Sequence, residues 1–281
     1  MKPKDVGATW YPASLRAEDV EGKGKEEVLV VLHIHGGAYV IGDGRTANSG
    51  YMLSLLHKHT PATHVLAPQY RLSKLQKKGG EGNPFPAALQ DALTSYLYLL
   101  NTLGIPPSRI VLSGDSAGAN CAIALLRYIS EHGSALDIPA PRAALLWSPW
   151  VDPTDAREES VTRNPNYATD YLSHAFIEWG VKAFTAGRMA VLKTDPYVNV
   201  GVEGFKTEVP LYVNVGGAEI LLGAGRRWAE MMERVEGNTV VFDVEENVPH
   251  DVMLVAPTVG FKREAVACAK RAGEWLEGLK V

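Results

Sequence analysis

Residues 109–129 read RIVLSGDSAGANCAIALLRYI, and this stretch decides the fold. Residues 109–113 form a short, apolar and β-branched run that predicts a buried strand. A G-x-S-x-G pentapeptide follows at residues 114–118, and residues 119–129 are small and apolar at helical spacing. A strand, this turn and a helix in immediate succession predict a nucleophile elbow, which presents the Ser116 hydroxyl above the edge of a sheet. The start of the helix also favours developing negative charge beside that hydroxyl.

The composition is that of a protein with a sizeable core. Of the 281 residues, 46% are hydrophobic and 21% are charged, and the net charge is −4. The chain therefore lacks the basic surface that nucleic-acid binding requires, and its apolar runs are too short to span a bilayer. The N-terminus lacks the apolar region of a secretory signal, so a cytoplasmic location is expected. Cys121 and Cys268 do not suggest a disulfide framework, and Cys121 is expected to be a buried small hydrophobe.

Apolar runs alternate with helical patterns along the chain. The predicted strands cover residues 6–12, 28–34, 64–70, 109–113, 143–148, 211–215 and 239–244. The predicted helices cover residues 51–59, 86–100, 119–129, 171–184, 187–192, 221–235 and 260–279. This rhythm predicts one α/β domain over residues 1–281, with a doubly wound, mostly parallel sheet. Residues 152–209 lack a strand-like run and are expected to form a helical lid insertion, and residues 73–83 a surface loop.

A second glycine-bearing turn follows a buried strand. Residues 35–39 read HGGAY, directly after the continuous apolar run at residues 28–34. Adjacent glycines here mark a sharp turn or a close approach of the backbone to a ligand. The turn is either a plain connection or a set of N–H groups aimed at an oxyanion, and the elbow favours the second interpretation.

A serine nucleophile needs a base and an acid that orients the base. Both are expected in loops at the carboxyl ends of strands, and two such loops lie downstream. Glu219 follows the strand at 211–215, and His250 follows the strand at 239–244. We therefore predict His250 as the base and Glu219 as the acid, with Asp243 and Glu246 as competing acids.

The other titratable groups near these motifs are assigned structural roles. His33 is expected to pack in the core, His35 to brace the glycine turn, and the remaining histidines to be solvated. Asp251 adjoins His250, but neighbouring side chains diverge, so it is not expected to orient the imidazole. Asp115 is expected to form a hydrogen bond within the elbow.

Several ordered motifs together resemble the hormone-sensitive-lipase-like carboxylesterases. They are HGGAY at 35–39, YRL at 70–72, PFPAA at 84–88, GDSAG at 114–118, SPWVD at 148–152 and the late His250. The resemblance covers residues 28–275 and implies an α/β-hydrolase fold and hydrolysis of carboxylic esters through an acyl-enzyme. It implies no metal or organic cofactor, and a small-molecule ester as the partner.

The same resemblance implies roles for individual residues. Ser116 is the nucleophile, His250 the base and Glu219 the acid, and the backbone N–H groups of Gly37, Ala38 and Ala117 are the oxyanion donors. The sequence departs from the family at Ala38, where a third glycine is usual, and at Glu219, where aspartate is more common. It also carries an insertion after YRL.

Two alternatives to the esterase and the role of three aromatic residues stay open. The alternatives are an amidase or formamidase acting on a small amide, and a receptor such as those for gibberellin, which have lost the histidine base. Phe176, Trp179 and Phe184 are expected either to line an acyl or alcohol pocket or to form the core of the lid.

The N-terminal end carries its own expectation. The resemblance implies a further antiparallel strand and lid helices before residues 6–12, but only five residues precede them. We therefore expect a sheet that begins one strand late and a lid built almost entirely from residues 152–209. Such a lid would leave the site open and expose apolar surface that a second copy could cover in a homodimer. The alternative is that Met1 is an internal start in a shortened chain.

Overall fold

The computed structural model describes residues 4–18, 20, 28–75 and 82–279. These residues form a seven-stranded sheet with a hydrophobic core on each face. The strands are β1 Ala8–Tyr11, β2 Val30–Ile34, β3 His64–Pro68, β4 Ile110–Asp115, β5 Ala143–Trp147, β6 Leu211–Gly216 and β7 Val240–Glu245. The predicted α/β class with a mostly parallel sheet is confirmed.

The strand order is β1-β3-β2-β4-β5-β6-β7, with β1 antiparallel to β3 and all other pairs parallel. The chain passes from β2 outward to β3 and then returns to β4 on the other side of β2. In sheets of this kind, ligands bind outside the carboxyl ends of the strands at such a reversal. The glycine turn follows β2 and the elbow follows β4, so both of these motifs lie at that point.

Helices connect the strands. They are α1 Thr46–His59, α2 Ala87–Leu97, α3 Ala117–Leu136, α4 Glu158–Thr162, α5 His174–Thr185, α6 Met189–Leu192, α7 Leu222–Glu233, α8 Val252–Val259 and α9 Lys262–Gly278. A π-helical turn, Tyr98–Thr102, extends α2, and a 3-10 turn, Pro107–Arg109, precedes β4. The sequence did not predict α4 or α8. Helix α8 is short, uniformly apolar and contains Pro257, so it has no helical periodicity to recognise.

Alternation along the central strands builds the two cores. Val30, Leu32 and Ile34 of β2 enter one core, and Val31 between them enters the other. Strands β4 and β5 divide their side chains in the same way. Both faces of these strands are covered, which explains why they read as continuous apolar runs and not as alternating ones.

Residues 152–209 lie between β5 and β6 and contain helices α4, α5 and α6 but no strand. This agrees with the helical pattern expected there, and the assignment of the segment as a lid stays a prediction. The predicted surface loop at 73–83 lies partly outside the described residues, because residues 76–81 are not among them.

Within the described ranges, none of the helices has the length and hydropathy needed to cross a membrane. The cytoplasmic location, the homodimer and the late start of the sheet stay predictions.

Candidate active site

Ser116 occupies a sharp turn between β4 and α3. Its backbone has φ +52° and ψ −117°, a conformation that non-glycine residues rarely adopt. Neighbouring backbone holds it there: the Ser116 N–H donates to the carbonyl of Trp147 at 2.8 Å, and the Ser116 carbonyl accepts from Trp150 at 3.1 Å. A Cβ atom at Gly118 would collide with the carbonyl of Ile34, so the turn requires glycine at that position.

His250 lies beyond the end of β7, and its imidazole reaches the elbow. Its Nε2 atom is 2.9 Å from the Oγ of Ser116, within hydrogen-bonding distance. The His250 side chain is buried, and the ring of Tyr171 lies beside it at 6.0 Å between centroids. The structure thus brings together the hydroxyl and the imidazole that the sequence analysis paired, although 134 residues separate them in the chain.

Glu219 completes the cluster from the end of β6. Its Oε2 atom lies 3.8 Å from Nδ1 of His250 and accepts hydrogen bonds from the Ser148 hydroxyl at 2.6 Å and the Gly216 N–H at 2.9 Å. Within the described residues, Oε1 of Glu219 and Nδ1 of His250 are buried and have no other hydrogen-bond partner. The separation of 3.8 Å is that of an ion pair and is longer than a direct hydrogen bond. Bonds of this kind often shorten when a substrate binds.

The electrostatic setting raises the pKa of His250 above its ordinary value of 6.5. Burial acts in the opposite direction, because it disfavours the charged imidazolium. Together, the carboxylates of Glu219, Asp170 and Asp115 outweigh burial, and Glu219 contributes most. The imidazolium is therefore stabilised within the cluster, which is what a base that must accept a proton requires.

The competing acids lie elsewhere. Asp243 pairs with Arg271 at 2.9 Å and accepts hydrogen bonds from Tyr212 and Asn214. Glu246 is exposed at the surface. Of the three carboxylates that the sequence left in competition, Glu219 is the one that lies beside His250.

The glycine turn and the start of α3 carry backbone N–H groups close to Ser116. Gly37 and Ala38 have φ +95° and +50°, and their turn is held by the N–H groups of Val40 and Ile41, which donate to the Gly37 carbonyl at 2.9 and 3.0 Å. The N–H groups of Gly37 and Ala38 donate no hydrogen bond to any of the described residues. Ala117 is the first residue of α3, where the N–H groups lack partners within the helix.

An apolar recess opens beside Ser116. Its volume is about 10 Å³. Besides Ser116, its walls are the side chains of Ala38, Trp150, Leu172, Phe176, Ile177 and Leu221. Phe176 therefore lines the recess, whereas Phe184 is buried against Tyr39 and Trp179 is partly exposed. The arrangement places a serine hydroxyl, an imidazole, a carboxylate and backbone N–H groups without acceptors next to an apolar surface.

A protein-family model described as having the α/β-hydrolase fold matches residues 31–254. That range covers most of the chain and includes Ser116, Glu219 and His250. The chain belongs to this family.

Similar proteins define the family more closely. An acetyl-hydrolase of Streptomyces hygroscopicus is 28% identical over 248 residues, which cover 87% of this chain and 75% of that protein. An esterase of Acinetobacter venetianus is 28% identical over 231 residues, covering 80% of this chain and 67% of that protein. The crystal structure of an esterase from the bacterial hormone-sensitive lipase family superimposes with a TM-score of 0.74 and 28% identity, covering 96% of this chain and 80% of that one. The resemblance to hormone-sensitive-lipase-like carboxylesterases is confirmed, and the chain is a hydrolase of the ester-hydrolysing type.

Within this α/β-hydrolase, Asp115 does not bond within the elbow, as the sequence analysis expected. Its Oδ1 lies 3.0 Å from Nε2 of His33, and its Oδ2 accepts the Gly36 N–H at 2.9 Å. That expectation was wrong because β2 and β4 are adjacent, so the side chain reaches across to the neighbouring strand. Asp115 therefore links the elbow to the glycine turn, and His33 is a hydrogen-bonded member of this link and not only a packed residue.

A second buried carboxyl group faces Asp115. Asp251 points away from His250, as expected, and its carboxyl group forms a hydrogen bond with Asp115. Burial raises the pKa of Asp251 well above 3.8, and the charge of Asp115 adds to the effect. Burial also acts to raise the pKa of Asp115, but its interactions with His33, Asp251 and His35 together outweigh burial and lower that pKa. The opposite shifts favour a state in which the pair holds one proton, on Asp251.

Sequence reasoning missed two residues that support the cluster. Asp170 accepts the N–H of His250 at 3.3 Å and the N–H of Ile220 at 2.7 Å, so it ties the two loops together. It lies just before the predicted helix at 171–184, outside any periodic pattern that could single it out. Ser148 has φ +44° and donates to Glu219, and the sequence signals for it were its place at the end of a predicted strand and in the SPWVD motif.

The expected brace at His35 is present. Its Nδ1 atom lies 2.8 Å from the Gly36 carbonyl, and its ring stacks on Tyr70 at 4.2 Å. The Tyr70 hydroxyl donates to the His35 carbonyl at 2.9 Å. Burial lowers the pKa of His35, so its ring is neutral near pH 7 and supports the turn without carrying charge.

Proposed function

We propose that the protein is a serine carboxylesterase that hydrolyses small carboxylic esters through an acyl-enzyme. Ser116 is the nucleophile, His250 the general base and Glu219 the acid that orients it. The observation that carries the proposal is the 2.9 Å contact between Nε2 of His250 and Oγ of Ser116. A hydroxyl is a weak nucleophile at neutral pH, and an adjacent base activates it.

In the first step, Nε2 of His250 removes the proton of the Ser116 hydroxyl as Oγ attacks the ester carbonyl carbon. This requires the lone pair on Nε2 and the proton on Nδ1. The carboxylate of Glu219 faces Nδ1 at 3.8 Å and favours that tautomer, and it also stabilises the imidazolium that forms. The pKa of His250 is raised because the same carboxylate stabilises the imidazolium.

The carbonyl oxygen becomes an oxyanion in this step. The N–H groups of Gly37, Ala38 and Ala117 are the donors that we assign to it. Each such donor is worth about 3 kcal/mol in comparable sites, because the donors are oriented before the charge develops. The open positions of the Gly37 and Ala38 N–H groups support this assignment.

The tetrahedral intermediate then collapses. His250 gives its proton to the leaving alcohol, and the acyl group stays on Ser116 as an ester. Water then attacks the acyl carbon while His250 removes its proton. The second tetrahedral intermediate collapses, His250 returns the proton to Oγ of Ser116, and the carboxylic acid leaves. Each proton taken up by His250 is returned within the same half-reaction.

The recess beside Ser116 supports a short acyl group. Its volume of about 10 Å³ is close to the roughly 10–15 Å³ that one water molecule needs, so its apolar walls must move apart further for a long acyl group than for a short one. The name of the acetyl-hydrolase relative is consistent with such a substrate. We assign residues 152–209 as the lid, because Leu172, Phe176 and Ile177 from this segment line the recess.

The experiment is pre-steady-state kinetics with p-nitrophenyl acetate, with Ser116→Ala as the inactive variant. We expect a burst of nitrophenol of about one equivalent per active site in the wild type and loss of turnover in Ser116→Ala at unchanged thermal stability. More than a trace of activity in the purified variant would contradict the assignment of the nucleophile.

The same substrate panel separates the alternatives. It includes acyl groups from acetyl to decanoyl and the matching anilides. Faster turnover of anilides than of esters would indicate an amidase, and saturable binding without turnover would indicate a receptor.

A further inference from the structure

Helix α5 packs directly on the turn that carries Ala38. Gly180, in the middle of this helix, is buried and faces that residue. A Cβ atom built on Gly180 would lie 2.8 Å from the Cβ of Ala38, 2.9 Å from its carbonyl oxygen and 3.2 Å from Cη2 of Trp150. Carbon atoms in contact are normally about 3.5–4.0 Å apart, so no side chain fits at position 180 in this arrangement.

Glycine in the interior of a helix needs a local reason, because it destabilises the helix relative to alanine. Helix α5, His174–Thr185, has a side-chain cap at Ser173 and contains no proline and no other glycine. The reason at Gly180 is the close approach of the turn. The two shortest contacts are with the methyl group and the carbonyl of Ala38, and the ring of Trp150 lies slightly farther away.

Ala38 adopts a conformation that must be imposed from outside. Its φ is +50°, in the left-handed region that alanine avoids because its Cβ crowds the backbone. Its side chain is buried, with Gly180 on one side. A shift of the methyl group would rotate the peptide that carries the Ala38 N–H.

The same helix also contacts the next residue of the turn. The ring of Phe184 stacks on that of Tyr39 at 3.9 Å between centroids, with the planes 3° apart. The Tyr39 hydroxyl donates to Asn120 of α3 at 2.6 Å. Helix α5 therefore contacts two consecutive residues of the turn, and Tyr39 ties the same turn to the helix that follows Ser116.

We propose that Gly180 is a positioning residue for the oxyanion donors. The space above its Cα houses the Ala38 methyl group, and this keeps the Ala38 N–H directed towards the oxyanion. Residue size at positions 38 and 180 is therefore coupled, and the lid helix sets the geometry of the oxyanion site as well as lining the recess. This inference rests on the oxyanion role that the proposed function gives to Ala38.

The test is a double-mutant cycle with Gly180→Ala and Ala38→Gly, measured as kcat and KM for p-nitrophenyl acetate. In the wild-type background, Gly180→Ala should lower kcat at least tenfold and change KM less than threefold, because the oxyanion forms only in the transition state. In the Ala38→Gly background, the same change should lower kcat less than threefold. The Cβ–Cβ collision is then absent, and glycine at position 38 can turn its carbonyl away.

Gly278→Ala is the control for a glycine-to-alanine change in a helix. Its Cβ would have no atom within 4 Å, so we expect kcat and thermal stability close to those of the wild type. Affinity for a boronic acid, which mimics the tetrahedral intermediate, is the second readout. It should fall in Gly180→Ala in parallel with kcat.

Three results would overturn the inference. The first is a Gly180→Ala variant that alters only KM or thermal stability while kcat is unchanged. The second is an equal loss of kcat in both backgrounds. The third applies if Gly180→Ala does not fold, and it is a double variant that does not fold either. Failure of the proposed function is distinct, since Ser116→Ala would then retain turnover whatever Gly180→Ala does.

Discussion

The hydroxyl of Ser148 lies 2.6 Å from Oε2 of Glu219 and donates a hydrogen bond to it. The same hydroxyl accepts the N–H of Asp251 at 3.0 Å, so it joins the loop of the acid to the loop of His250. In this position Ser148 adopts a strained, left-handed backbone conformation with φ +44°. The strain and the hydrogen bond together indicate that the orientation of Glu219 depends on Ser148.

Removing this hydroxyl should therefore lower catalysis without removing a reacting group. We expect Ser148→Ala to reduce kcat about tenfold or more, since a hydrogen bond to a charged group contributes about 1.5–3 kcal/mol. Ser148→Gly also lacks the hydroxyl but relieves the backbone strain. Both variants should lose kcat to a similar extent, and full activity in Ser148→Gly would show that strain and not the hydroxyl is what matters.

Activity should depend on pH through His250. Only the neutral imidazole can act as a base, and its pKa is raised by Glu219. The acidic limb of kcat/KM should therefore have its midpoint above 6.5, the ordinary value for histidine. A profile that is flat from about pH 5 to 8 would contradict the role of His250.

Neutralising the acid should both slow the reaction and move that limb. Glu219→Gln removes the charge that raises the pKa of His250, so the limb should move to lower pH. It should also reduce kcat by about 10⁴, as for other neutralised triad acids. Glu246→Gln is the exposed control and Asp243→Asn the partly buried one. If either of these variants shows the loss and Glu219→Gln does not, the assignment of the acid is wrong.

The Asp115–Asp251 pair should make stability depend on pH in opposite senses. The pKa of Asp251 is raised in the folded state, so its contribution to stability is full below 3.8 and is lost as the pH rises through the folded-state pKa. The pKa of Asp115 is lowered, so its contribution is present above 3.8 and is lost as the pH falls through its folded-state pKa.

Asparagine variants separate the two carboxyl groups. Asp251→Asn keeps a donor towards Asp115 and cannot lose a proton, so its free energy of unfolding relative to the wild type should increase from about pH 4 to pH 8. Asp115→Asn should instead destabilise the protein at neutral pH. Urea unfolding across this pH range measures both effects, and a constant difference between Asp251→Asn and the wild type would contradict the shared proton.

Acyl-chain preference should depend on Phe176, whose side chain lines the recess. Phe176→Ala enlarges the recess, so kcat/KM for hexanoyl and octanoyl esters should rise relative to kcat/KM for the acetyl ester. We expect a rise of about tenfold, which is the effect of burying one or two methylene groups. Lys182→Ala, an exposed change in the same helix, is the control. An unchanged preference in Phe176→Ala would place the acyl group elsewhere.

The sequence by itself determined the elements whose signals are local. The elbow at residues 114–118 depends on a strand, two glycines and a helix within about twenty residues, and the structure has this succession. The strands that build the sheet were recognised because burial on both faces demands continuous apolar runs. Agreement ended at short helices without periodicity, such as α4 and α8, whose stability comes from packing and not from their own pattern.

Only the tertiary structure decided which distant groups meet. Glu219 and Glu246 follow strand ends and Asp243 lies near the end of β7, so their places in the sequence do not show which carboxylate faces His250. Their separation follows from the order of the strands and the direction of each side chain, which place Glu219 beside His250 and Asp243 beside Arg271. In the same way, Asp170, Ser148 and Gly180 act on residues far along the chain, so their roles are properties of contacts that form only when the sheet and the 152–209 segment pack together.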